Sequence, residues 1–208
     1  MTSIRRFLDI PAGEIVQFLA TSSRELALKV CRDQTTPVYV VGNSRDFDQF
    51  AQHFVDALGR RFAGVATFWP EPLELEGTGE KRFTAGNRYI GRSSVSRPDL
   101  LFCQSVISSP REIRAMISTV LGLIEVANIG IAAVAISEEA EVELKRYFHE
   151  GSSLPIEVTA LKSIPDGSMS SWQVQTGFYD ELESALGEGA SALPEIVRAK
   201  LRGKLKPH

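Results

Sequence analysis

The chain has 208 residues, 43% of them hydrophobic and 24% charged, which is the composition of an ordinary globular domain with enough apolar material for one packed core. Its 23 basic side chains against 26 acidic ones leave a formal charge of -3, so no overall basic field exists to attract a nucleic-acid backbone, and nucleic acid is not expected as a partner. Two cysteines are too few for a disulfide framework, and no apolar run is long enough to cross a bilayer; the expectation is a soluble, cytoplasmic protein with no membrane partner.

In chain order, Pro11 to Arg32 carries apolar residues at helical spacing and reads as one or two helices, with a break near Thr21-Ser22-Ser23. Residues 37–43, PVYVVGN, form a short β-branched run closed by glycine, the pattern of a buried strand and a turn. Helical period returns from Asp46 to Phe62, and Gly64 to Trp69 reads as a second strand. Residues 71–98 are glycine-rich and charged, a hairpin or lid excursion. Strand DLLFCQ (99–104), an amphipathic helix over Ser109 to Leu123, strand Asn128 to Ile136, helix Glu138 to Phe148 and strand Ile156 to Ile164 follow. Residues 166–208 read as a C-terminal appendage, turn-rich and then partly helical, with a basic end. The alternation of strands and helices with short connections predicts one α/β domain over 1–208, a mostly parallel sheet covered by helices on both faces.

In such sheets ligands sit beyond the carboxyl ends of the strands. Two strand ends carry the right chemistry here. Asn43-Ser44-Arg45 is a polar turn into a helix, and Gln104-Ser105-Val106-Ile107-Ser108-Ser109 is a second one, where free amides and hydroxyls suit an anion, with Arg111 adding a cation. Ser109-Pro110-Arg111-Glu112 is also a good helix start in its own right: serine at the N-cap, proline at N1, and glutamate at N3 to close a capping box. Both readings stay open on the residues alone. His53, His149 and His208 lack neighbours at metal-ligand spacing, and Cys103 has no cation beside it in sequence to make it a nucleophile.

The segment DLLFCQSVISSPREIRAMIS resembles the phosphoribosyl-pyrophosphate-binding segment of the type I phosphoribosyltransferases, in which an apolar strand runs through an acidic pair into a hydroxyl-rich turn and a helix. The turn at 42–46 is similar to the family's pyrophosphate loop, the 71–98 excursion falls where the family carries its flexible catalytic loop, and the tail around Thr176 to Asp180 resembles the base-binding end of the uracil branch. The motif is degenerate: Gln104 and Ser105 stand where the family has its acidic pair, Pro110 where it has the turn glycine, and Glu112 where it has a hydroxyl.

The resemblance implies a protein that binds phosphoribosyl pyrophosphate or a nucleotide and transfers phosphoribose to a pyrimidine-type base, with a magnesium ion held through the substrate's pyrophosphate. Asn43, Ser44 and Arg45 would face pyrophosphate, and Gln104, Ser105, Ser108, Ser109 and Arg111 the ribose-phosphate side. Arg88 and Arg92, in a cation-rich lid with Lys81 and Arg82, would act on the transferring group, and Gly177, Phe178 and Asp180 would meet the base. The missing acids imply the alternative, a catalytically inactive protein that binds a nucleotide or sugar phosphate, or a protein partner, in a regulatory role. A homodimer is the expected assembly.

Overall fold

The computed structural model describes residues 8, 10–11, 13–32, 35–74, 81–152, 154–165, 171–187 and 193–204. Helix α1 (Ile15–Cys31) leads into strand β1 (Val38–Asn43). A five-residue π-helical turn, Phe47–Ala51, opens helix α2 (Gln52–Leu58). Strands β2 (Phe62–Glu74) and β3 (Lys81–Ile90) form a long hairpin, followed by β4 (Asp99–Cys103), a two-residue strand β5 (Val106–Ile107) and helix α3 (Pro110–Leu121). Then come β6 (Ile129–Ser137), α4 (Glu138–Ser152), β7 (Ile156–Ile164), α5 (Ser171–Leu186) and α6 (Glu195–Lys204).

The strands make one sheet in the order β3-β2-β1-β4-β6-β7, with β5 continuing the lane of β4 alongside β6. Every pairing is parallel except β2 with β3. Burial on both faces explains why the central strands read as unbroken apolar runs: all six residues of β1 and all five of β4 are buried. One face packs α1, the π-helical turn, α2 and α5 through Leu19, Leu26, Phe50, Phe54 and Leu182; the other packs α3 and α4 through Ile113, Met116, Ile117, Leu144 and Phe148. The expected α/β architecture, with helices on both faces of a mostly parallel sheet, is the one observed.

Three local expectations need correction. Helix α1 runs unbroken through Thr21-Ser22-Ser23, because Ser23 turns its hydroxyl back onto the Ala20 carbonyl at 3.2 Å instead of capping a new start, and Ser22 and Ser23 are buried against the core. The second strand is much longer than 64–69, since residues 71–74 pair with 81–84 as the outer half of the β2–β3 hairpin. Helix α5 of the C-terminal segment is packed in: Phe178, Tyr179 and Leu182 are buried in the core.

A glycine is required at the end of β1. A Cβ on Gly42 would lie 2.8 Å from the Phe47 ring and 3.1 Å from Ala51, so the π-helical turn can settle onto the strand only over a hydrogen atom.

Candidate functional site

The carboxyl ends of β1 and β4 lie side by side, with Gly42 in register with Cys103. The two polar turns picked out from the sequence therefore meet, and α5 lies over them. Between the three runs a layer of buried polar side chains.

The first turn faces inward. Asn43, 1% exposed, accepts the Arg45 amide at 3.0 Å on its side-chain oxygen and donates to a Glu112 oxygen at 2.9 Å. The Ser44 amide donates to the Phe68 carbonyl at 2.8 Å, extending the sheet by one bond. Arg45 reaches over α5: its Nε meets Glu183 at 2.7 Å, its Nη2 meets Asp180 at 2.8 Å, and its guanidinium lies 5.0 Å from the centre of the Tyr179 ring.

The second turn is a kink within the sheet, and its backbone is already used. Gln104 donates its amide to the Ala132 carbonyl at 3.2 Å, and the Ser105 carbonyl accepts from Val134 and Ala135 at 2.9 and 3.1 Å. The chain then rejoins β6 as β5. Ser105 gives both its amide (2.8 Å) and its hydroxyl (2.5 Å) to one oxygen of Asp46, which also accepts from the Tyr179 hydroxyl at 3.2 Å. Gln104, fully buried, donates its side-chain amide to the Val106 carbonyl at 3.1 Å.

Gln175 of α5 completes the layer. Its amide oxygen accepts from the Ser108 amide and the Ser108 hydroxyl, each at 3.2 Å, and its amide nitrogen donates to the second Glu112 oxygen at 2.6 Å. Ser109 caps α3 by accepting from the Arg111 amide at 3.4 Å, as expected. The capping box, however, is not closed by Glu112: its carboxylate is drawn inward between Asn43 and Gln175 and is only 3% exposed.

Burial dominates the electrostatics. It raises Asp46 from 3.8 to about 6, against the lowering influence of the Ser105 and Tyr179 hydrogen bonds. It raises Glu112 from 4.5 to about 7, and the negative charge of Asp46 adds to the shift while Gln175, Arg45 and Asn43 oppose it. The Tyr179 hydroxyl is pushed up by burial and by both carboxylates, so it stays a donor.

The expected site residues thus fall into three groups. Asn43, Arg45, Gln104, Ser105 and Ser108 do converge, but on one another, on Asp46, Glu112 and on α5, and the amides of residues 105, 108 and 111 are all engaged by side chains of this chain. Ser44 is held by its backbone, while Ser109 and Arg111 lie at the rim, Arg111 exposed. Of the remaining five, Asp180 stays with Arg45, whose Nη2 it meets at 2.8 Å, and the other four do not join the layer. Arg88 sits opposite Phe68 at the site end of the sheet and donates to the Ala85 and Gly86 carbonyls of its own hairpin. Arg92 lies beyond the far end of β3, its carbonyl beside Gly64, which pairs with Tyr39 in the amino-terminal half of β1. Phe178 is 1% exposed in the core, so its ring has no face for a base, whereas Gly177 and Asp180 are exposed on α5. The side chains of Lys81 and Arg82 lie outside the described residues.

The magnesium expected from the sequence would be held through the substrate's pyrophosphate, and among the described residues no group of three or more His, Cys, Asp or Glu side chains stands together as a metal site. Sequence reasoning missed Asp46, Gln175 and Tyr179. Asp46 begins a helix and reads as an ordinary polar start; Gln175 and Tyr179 belong to a tail without a strong period, and only their meeting with the strand ends gives them meaning.

No protein-family model matches the chain, and no curated protein matches its sequence. Solved structures do share its fold. The AQ2163 protein from Aquifex aeolicus aligns with a TM-score of 0.55 at 12% identity, over 77% of this chain and 80% of that one. A hypothetical protein from Neisseria gonorrhoeae with bound ppGpp aligns with a TM-score of 0.50 at 12% identity, over 77% of this chain and 89% of that one. A hypoxanthine phosphoribosyltransferase from Staphylococcus aureus is also among the neighbours, more loosely, with a TM-score of 0.47 at 18% identity over 74% of this chain and 75% of that one. Among the described residues no helix is long and apolar enough to cross a membrane.

Proposed function

We propose that the chain is a non-catalytic protein on a phosphoribosyltransferase-like fold, acting as a regulatory or interaction module that responds to a nucleotide or sugar phosphate. One observation carries this reading: the amides and hydroxyls that would cradle a phosphate are satisfied internally, with the buried Glu112 carboxylate beside them. A phosphate entering there would displace Gln175 and meet a second negative group, a desolvated like-charge contact that opposes binding. The residues at the positions of the acidic pair, Gln104 and Ser105, supply no charge to orient a ribose or a metal.

A second reading, phosphoribosyl transfer to a pyrimidine-type base, draws support from the hairpin. Residues 69–74 of β2 continue past the end of β1, roughly 20 Å at ~3.3 Å per residue, so an arm overhangs this end of the sheet with Arg88 near its base. The Neisseria neighbour makes ppGpp a natural first ligand to try.

The test is calorimetry with phosphoribosyl pyrophosphate and magnesium, and separately with ppGpp, alongside a pyrophosphate-release assay over a panel of bases. The expected result is no base-dependent release. Base-dependent release of pyrophosphate by the intact chain would establish the second reading and end the first.

A further inference from the structure

At the opposite end of the sheet from the polar layer, the amino-terminal ends of β1, β4, β6 and β7 and the last turn of α1 enclose a cavity of about 570 Å³, a size that holds small molecules. Lys29 and Val30 of α1 line one side, and Glu157 and Thr159 of β7 the other. Gly130 of β6 lies between them, beside Leu101 of β4. It pairs in regular register with Leu101 and with Glu157, without a bulge and without a positive φ. A glycine inside a strand weakens it, and where no bulge or bend calls for one it marks a close approach by another group. Even a methyl at 130 would lie 3.1 Å from Leu101 Cδ1, so the sheet is bare where it meets the cavity.

Asp99 lines the same cavity and is only 9% exposed. One carboxylate oxygen accepts from the Thr36 hydroxyl and the other from the Asn128 side-chain amide at 2.7 Å. Both donors are neutral, and among the described residues no cation pairs with this group. Buried aspartates ordinarily have a positive partner. Glu157 adds a second negative charge to the lining and Lys29 a single positive one, and most of the rest is apolar. A buried carboxylate served only by neutral donors, next to an apolar floor, is complementary to an ammonium or guanidinium group on a short apolar body.

We propose that this cavity binds a small organic cation, whose ammonium or guanidinium group meets the Asp99 carboxylate while its apolar part lies against Gly130 and Leu101. Thr36 and Asn128 then orient the carboxylate without neutralising it. The exposed Lys29 opposes the bound charge and weakens the complex. Asp99 begins β4, whereas the polar layer lies beyond the last residue of that strand, so the two sites are separate and either can be present without the other.

Two-dimensional amide NMR of the full chain, titrated at low ionic strength with pentylamine, pentanol and pentanoate, separates charge from apolar size. Pentylamine is expected to shift the amides of Asn128, Gly130 and Thr159 and to bind at least about tenfold more tightly than pentanol, with pentanoate weakest. Asp99→Asn, its fold checked by circular dichroism and a urea midpoint, is expected to bring pentylamine down to the affinity of pentanol and to leave pentanol unchanged. Lys29→Gln, at an exposed helix position, is expected to tighten pentylamine binding about threefold. Equal affinity for the three probes, shifts confined to other parts of the chain, or full amine affinity in Asp99→Asn overturns the proposal. If Asp99→Asn does not fold, Lys29→Gln decides: an amine affinity that fails to rise there overturns it as well.

Discussion

Asp46 and Glu112, 66 positions apart in the sequence, end in one buried layer, and the charge of Asp46 helps raise the pKa of Glu112. A fold that pushes two carboxyls up to about 6 and about 7 holds their protons where the unfolded chain has released them. The contribution to stability is therefore full below the ordinary carboxylate range and is lost as pH rises through the raised values. Each group costs roughly 1.4 kcal/mol for every pH unit between its unfolded and folded pKa. Urea midpoints are expected to fall from about pH 5 to about pH 8, with Glu112→Gln removing part of the slope. A midpoint that climbs over the same interval contradicts the buried arrangement.

Ser105→Ala removes a 2.5 Å hydroxyl bond from Asp46 and leaves the carboxyl with the Ser105 amide and Tyr179. The cost should be about 1–3 kcal/mol by urea denaturation, the range for a buried acceptor deprived of a partner. It should be smaller in an Asp46→Asn background, because the lost donor then served an uncharged group. Equal costs in both backgrounds would show that the bond is not coupled to the carboxyl.

Phe178→Ala tests the placement of α5. With the ring buried in the core, truncation should cost about 3–5 kcal/mol and lower the melting temperature sharply. A residue facing a base would instead change ligand affinity and leave the melting temperature nearly intact. The two measurements separate the roles.

Gly42→Ala introduces a methyl 2.8 Å from the Phe47 ring. Phe47 is fully buried and cannot swing away, so overpacking should cost about 1–3 kcal/mol in thermal or urea unfolding. Near-neutral stability would mean that the π-helical turn relaxes more easily than its packing indicates.

The Arg45 latch onto Asp180 and Glu183 is a different kind of contact. Its partners are 65% and 48% exposed, so Arg45→Ala should lower stability by about 1 kcal/mol or less, and by still less in molar salt. A loss of several kcal/mol that persists in salt would point to the Tyr179 ring contact as the main anchor.

By itself the sequence determined the sheet and its covering. Strands such as 38–43 and 99–103 are short, mostly apolar runs that are buried throughout, and helices such as 110–121 carry their period openly, so local pattern and burial agree. It also determined that the strand end at 104–109 is chemically unusual, because Gln104 and Ser105 are polar residues at the end of an apolar strand. Only the tertiary structure decided what that end does. Whether Ser108 offers its amide to a ligand or to Gln175 depends on where a helix 67 residues later comes to rest, and that docking is set by the packing of Phe178 and Leu182. Short-range pattern specifies what a segment can form; which partner satisfies a buried polar group is fixed by long-range contacts that leave no period in the chain.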